Sequence, residues 1–320
     1  MKTYLIVIFS IISVVVFNTS CDKIDNPYLP QYVDIDTTLL DGIDIVTYKN
    51  TLWPSFSSNS NTNRNVLIED YTGHKCINCP EAALALHDLK ESNPNRIYGV
   101  GIHMGPNGNT SFQNTSGSIF STDYTTNEGL EISMNISDGG FIGNPSGTIN
   151  RKTFGGQIFQ NYTSWGSYAT TILNENQLDI NLQAKVNYFP SKRGVFLHTE
   201  IDVLNSMSED LYQVVYLVED STISPQSMPS SWSFPNNTDL NYTHKDVHRG
   251  CIDGKGMGRK ITSENKIDKD GNILEGNKYY LNYSYKLPEQ YNPENMHLLI
   301  YVYNNTSKEI YQVIKQEIIE

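Results

Sequence analysis

Two cysteines spaced three apart, in Cys76-Ile77-Asn78-Cys79-Pro80, are the residues of this chain best suited to chemistry. A C-x-x-C pair can exchange electrons with a disulfide: the thiolate of Cys76 attacks, and Cys79 resolves the mixed disulfide. The attack requires a depressed thiol pKa, from about 8.5 towards roughly 3.5–7.5, which a helix N-terminus and nearby cations supply. His74 and Lys75 stand immediately before the pair as those cations. Two other readings fit the same residues. In an oxidising compartment the pair can be a permanent staple, and the sequence weighs staple and exchanger almost equally. Zinc normally takes four ligands, and no second C-x-x-C or close histidine pair follows, so no metal is expected.

The elements that must position the pair are legible around it. Val66–Asp70 is a short aliphatic run of the kind buried strands carry. Tyr71–Lys75 makes a loop, and Glu81–Lys90 (EAALALHDLK) reads as an amphipathic helix with its acid early and its lysine late. Arg96–Met104 is a second apolar strand, which gives a βαβ unit with a parallel pair. Residues 105–123 are polar and read as a rim insertion. Pro145 precedes a short strand in Asn144-Pro145-Ser146-Gly147-Thr148-Ile149-Asn150-Arg151, and 158–174 reads as a closing helix. Neither Glu69 nor Asp70 can be assigned from the sequence as a buried proton acceptor for the thiols.

The rest of the chain sets the address and the second half. Tyr4–Phe17 is an apolar run behind Lys2, with Asn18-Thr19-Ser20-Cys21 after it, which is the anatomy of a secretory signal over 1–20. Val16-Phe17-Asn18-Thr19-Ser20-Cys21 resembles a lipobox, which makes Cys21 the expected lipidation site as the acylated first residue of a bacterial lipoprotein. Residues 21–63, with Pro27, Pro30, Pro54 and a Ser/Asn-rich end, read as a lipid-anchored tether. Lys+Arg is 23 against Asp+Glu 35, a net charge of −12. That balance argues against nucleic acid, whose phosphates call for clustered cations. From Gln177 onward, apolar residues alternate in runs at 178–186, 195–203, 212–218, 279–287, 296–303 and 309–318. Short alternating strands separated by turns indicate a β-sandwich. His244 and His248 read as loop residues in a structural role, Cys251 as a buried inert thiol, and Asp270-Gly271 as a hairpin turn.

Three stretches carry a family resemblance: Glu69–Ala83 (EDYTGHKCINCPEAA), Asn144–Arg151 (NPSGTINR) and Asn241–Gly250 (NYTHKDVHRG). Together they resemble the Omp28-related outer-membrane lipoproteins of Bacteroidetes over roughly Val66 to the C-terminus. The resemblance implies a thioredoxin-like domain over 64–176 and an immunoglobulin-like β-sandwich over 177–320, an α/β part followed by an all-β part. It also implies a cis Pro145 facing the dithiol, where backbone beside Asn144 and Lys75 meets an incoming chain. No cofactor is implied. The function expected is a binding or assembly module at the cell envelope with a protein or peptide partner. The alternative is a thiol–disulfide oxidoreductase using Cys76, Cys79 and Pro145.

Overall fold

The structure, a computed structural model, describes residues 35–115, 119–136 and 143–319. The signal segment, Cys21 and the first part of the expected tether lie outside the described residues. From residue 35 onward the stretch departs from the expectation of a loose tether. Asp44 caps a helix, α1 (Ile45–Thr51), by accepting from the N–H groups of Val46 and Thr47. Leu39, Leu40 and Tyr48 then bury against Phe196. The polar residues that argue against a core here serve a strand edge instead. Asn59 Nδ2 donates to the Leu182 carbonyl at 3.0 Å, and Gln183 Nε2 donates to the Ser57 carbonyl at 2.7 Å.

The C-x-x-C frame folds as its sequence indicates. β1 (Val66–Tyr71) is buried throughout, α2 (Cys79–Ser92) follows it, and β2 (Ile97–Ile102) pairs parallel to β1. The loop between them carries Gly73 out of necessity, because a Cβ there would lie 2.4 Å from Gln113 Nε2 and 2.7 Å from Phe112 Cβ. After α3 (Asn127–Ile136), β3 (Ser146–Ile149) pairs antiparallel to the other edge of β1. The closing helix α4 (Trp165–Glu175) packs so closely on β3 that a Cβ on Gly147 would meet Trp165 at 2.4 Å. Alternation sets the two faces of β1: Val66 and Ile68 face α2 and α4, while Leu67 and Tyr71 join the core on the other side.

The second half supplies β4 (Ile180–Phe189), β5 (Gly194–Val203), β6 (Leu211–Glu219), β7 (Val247–Cys251), β8 (Lys278–Lys286), β9 (Met296–Asn304) and β10 (Ile310–Glu317). The strands β8-β5-β4 form one antiparallel sheet. The main sheet runs β10-β9-β6-β7-β2-β1-β3, with Arg259–Lys260 as a short eighth strand on β6. Strand β7 lies antiparallel to β6 and parallel to β2, joined to β2 at Val247 and Gly101. The main sheet therefore crosses the boundary expected at 176/177, even though the texture of the chain changes there. The odd residues of β6, Val215 and Leu217, pack against the β8-β5-β4 sheet with Leu298 and Ile300 of β9. Their even neighbours, Val214, Tyr216 and Val218, face the opposite core. Mixed α/β architecture with a large share of sheet is the result.

Candidate functional site

Cys76 and Cys79 form a disulfide, and both residues are 2% exposed. The helix begins at Cys79, one turn later than an attacking thiolate at Cys76 would require. Cys76 lies in the preceding turn, its N–H donating to the Gly73 carbonyl at 3.0 Å. His74 is buried, stacked on Phe120 at 5.3 Å, and burial lowers its pKa, so it stays uncharged at neutral pH. The expectation that His74 adds positive potential is therefore corrected. Lys75 Nζ lies 5.6 Å from the centre of the Phe120 ring.

Pro145 stands at the head of β3, where Ser146 pairs with Tyr71, so it lies beside the start of the Thr72–Lys75 loop. The Asn144–Pro145 bond is cis. Asn144 Nδ2 donates to the Thr72 carbonyl at 2.8 Å, and Gln113 Nε2 donates to the same oxygen at 2.6 Å. Asn144 thus ties the proline segment to the dithiol loop.

A segment from far along the chain covers the pair. Gln226, 150 residues after Cys76, is buried, and its Nε2 donates to the carbonyls of Cys76 at 3.0 Å and Gly73 at 3.3 Å. The Ser227 N–H donates to the His74 carbonyl at 2.8 Å. Ile77, between the two cysteines, stays 55% exposed. Nothing local in the sequence marks Gln226 for this role, because only folding brings the Gly73 and Cys76 carbonyls near it.

Asp70 is the acid that sequence reasoning could not assign. Alternation along β1 sends it to the α2 face, where it is 2% exposed and its Oδ1 has no hydrogen-bond partner. Burial raises its pKa to about 8. It lines a cavity of about 250 Å³ together with Cys79, and residues 242–246 close the other side. His103 and His244 line the same cavity; burial pushes both imidazoles down, His244 to about 4. His244 Nε2 lies 3.0 Å from Ser224 Oγ, and His248 Nδ1 lies 3.0 Å from Thr126 Oγ1. Among the described residues no cluster of His, Cys, Asp and Glu is arranged to hold a metal. Cys251 is free and buried, and burial lifts its thiol pKa well above the ordinary value, which disfavours thiolate chemistry.

The neighbour of Asp70 serves the opposite face. Glu69 is fully buried and accepts from Arg151 Nε at 2.9 Å and Nη2 at 2.7 Å, from Tyr216 OH at 2.6 Å and from Thr148 Oγ1 at 2.7 Å. Arg151 Nη2 also donates to the Tyr301 hydroxyl at 2.7 Å. Burial raises the Glu69 carboxyl, but the Arg151 charge and these hydrogen bonds outweigh it and hold the pKa below its ordinary value. The first and second motif stretches meet in this ion pair, and β6 and β9 supply its tyrosines.

The family model described as "Outer membrane protein Omp28" matches residues 135–320. No curated protein matches the chain. Among solved structures, HBP35 of Porphyromonas gingivalis aligns with a TM-score of 0.54 at 13% identity, covering 81% of this chain and 76% of that one. The likeness is one of fold. A protein from Agrobacterium tumefaciens aligns at 0.48 with 10% identity, covering 82% of this chain and 97% of that one. A domain of the outer membrane lipoprotein Omp28 from Porphyromonas gingivalis is 19% identical, covers 44% of this chain and 88% of that one, and has a TM-score of 0.28.

Proposed function

The chain belongs to the Omp28 outer membrane protein family, and from that premise we propose that it is a lipid-anchored binding or assembly module of the envelope, with Cys76–Cys79 as its staple. Residues 64–176 form its thioredoxin-like part and 177–320 its immunoglobulin-like sandwich, the two sharing one sheet. Cys21 carries the lipid that holds it at the outer membrane, an address in keeping with the family.

The observation that carries the staple reading is the clamp of Gln226 and Ser227 over the dithiol loop. An exchanging cysteine must admit a substrate sulfur in line with its own, and both cysteines here are covered. The exposed Ile77 remains available to a protein or peptide partner beside the covered pair.

One observation favours the second reading, a thiol–disulfide oxidoreductase. Asp70 shares a cavity with Cys79, and a carboxyl titrating at about 8 suits a group that takes a proton from a resolving thiol. In that chemistry the Cys76 thiolate forms a mixed disulfide with a substrate and expels one substrate sulfur. Cys79 then attacks Cys76, leaving the substrate reduced and the protein oxidised.

A redox titration of the protein lacking residues 1–20 separates the two. The staple reading expects a potential below about −300 mV, and a value between about −270 and −120 mV would place the pair among exchangers. Loss of disulfide exchange in Cys76→Ser, set against measurable exchange by the parent, would likewise decide for the enzyme.

A further inference from the structure

The cavity behind the disulfide has a use that the staple itself does not need. We propose that it is a binding site for a phenol, one aromatic ring bearing a hydroxyl, either free in the envelope or as a tyrosine side chain of a peptide. The proposal deepens the binding reading and rests on it.

Size comes first. A cavity on the order of 150 Å³ lined by apolar side chains takes up benzene. This one measures about 250 Å³, which leaves room for an aromatic ring and its substituent. Its walls suit a ring. Trp232 and Tyr242 come from the segment that folds back over α2, while Ala83 and Leu86 come from α2 itself. Aromatic walls hold a bound ring edge to face or offset.

The polar lining selects the substituent. Asp70 Oδ1 and His103 Nδ1 have no hydrogen-bond partner, and their residues are only 2% and 4% exposed. A ligand that reaches these two residues with a donor and an acceptor gains hydrogen bonds that no protein group supplies there. Burial keeps the Asp70 carboxyl protonated at neutral pH and leaves the imidazoles of His103 and His244 uncharged. A carboxylate or ammonium would have to shed its hydration against these uncharged groups. Asp246 on the wall already pairs with Lys90, and Lys245 is exposed. A hydroxyl both donates and accepts, so it can accept from the protonated Asp70 carboxyl or pair with His103 in either tautomer without moving a charge.

The test is calorimetric titration at pH 7 of 4-methylphenol, and separately of toluene, into the protein with its disulfide intact. Saturable one-to-one binding of 4-methylphenol, at least tenfold tighter than toluene, is expected. Ala83→Phe, which fills the cavity from the helix side, abolishes binding of both while circular dichroism and cooperative melting are retained. Asp70→Leu brings 4-methylphenol down to the level of toluene. A blocked Gly-Gly-Tyr-Gly-Gly peptide binding more tightly than 4-methylphenol assigns the site to a tyrosine side chain, and one binding more weakly assigns it to a free phenol. Equal affinity for 4-methylphenol and toluene, unchanged binding in Ala83→Phe, or no saturable binding by the parent protein each overturns the proposal. The wild-type comparison needs no variant to fold. Failure here with a staple's potential in the redox titration removes the ligand and leaves the binding module; an exchanger's potential removes the module whatever the cavity binds.

Discussion

Replacing Arg151 by Met puts the buried ion pair to a quantitative test. The substitution keeps the volume of the side chain roughly constant but removes the positive charge and two hydrogen bonds that Glu69 accepts. Loss of one partner from a buried pair costs about 3–5 kcal/mol. The carboxyl can escape part of that cost by taking up a proton. From an ordinary value of 4.5, doing so at pH 7 costs about 3.4 kcal/mol, at 1.36 kcal/mol per unit. At pH 5 the same step costs only ~0.7 kcal/mol. The sign follows from which state holds the proton. In the parent, Glu69 is held below its unfolded value, so its stabilisation is present above pH 4.5 and is lost as the pH falls through the folded value. In Arg151→Met the folded carboxyl rises above 4.5, so the variant loses stability as the pH climbs from 4.5 to 7. Its deficit is therefore largest at pH 7 and shrinks by about 2–3 kcal/mol at pH 5. Urea unfolding of both proteins at the two pH values, with the disulfide intact, measures this directly. Glu69→Gln combined with Arg151→Met removes both charges and should recover at least half of the pH 7 loss. A deficit that does not change between pH 5 and 7, or a double variant as unstable as the sum of the singles, would refute the reasoning.

Two further outcomes follow from the same structure, and a third from the proposed lipid anchor. Asp70 is held above its unfolded value, so the folded state binds its proton more tightly and stability drains away as pH rises from about 4 to 8, by about 5 kcal/mol at full effect; Asp70→Asn should flatten that slope in urea melts and be the more stable protein at pH 8. Gln226→Ala removes the side-chain donor to the Gly73 and Cys76 carbonyls, worth about 1–2 kcal/mol, and should speed reduction of the disulfide by dithiothreitol about 5- to 30-fold, read by thiol alkylation and mass spectrometry. Cys21→Ser should release the protein from the outer-membrane fraction into the soluble one and abolish incorporation of labelled palmitate.

Local composition made the C-x-x-C frame readable. A β-branched run, a glycine loop, an Ala/Leu helix and a second apolar run each state their own conformation, and period-two alternation did the same for β4 to β6 and β8 to β10. The stretch from residue 35 to 63 misled because its Ser and Asn residues argue for solvent, whereas the Asn59 side chain and the Ser57 carbonyl pair with a strand edge that composition cannot foresee. Asp70 and Glu69 show the limit most clearly. They are adjacent acids in one strand, yet alternation turns one towards a helix and a cavity and the other towards an arginine.

What the sequence by itself determined is whatever neighbouring residues decide: the strand and helix that flank Cys76 and Cys79, the loop before them, and the alternating strands of the second half. Only the tertiary structure decided that β7 would carry the main sheet from one half into the other, and that Gln226 would clamp a loop 150 residues away. It alone set which acid would be paired and which left without a partner. The physical reason is that conformation follows from local sterics and side-chain periodicity, whereas burial, hydrogen-bond satisfaction and pKa depend on which distant groups arrive to exclude water.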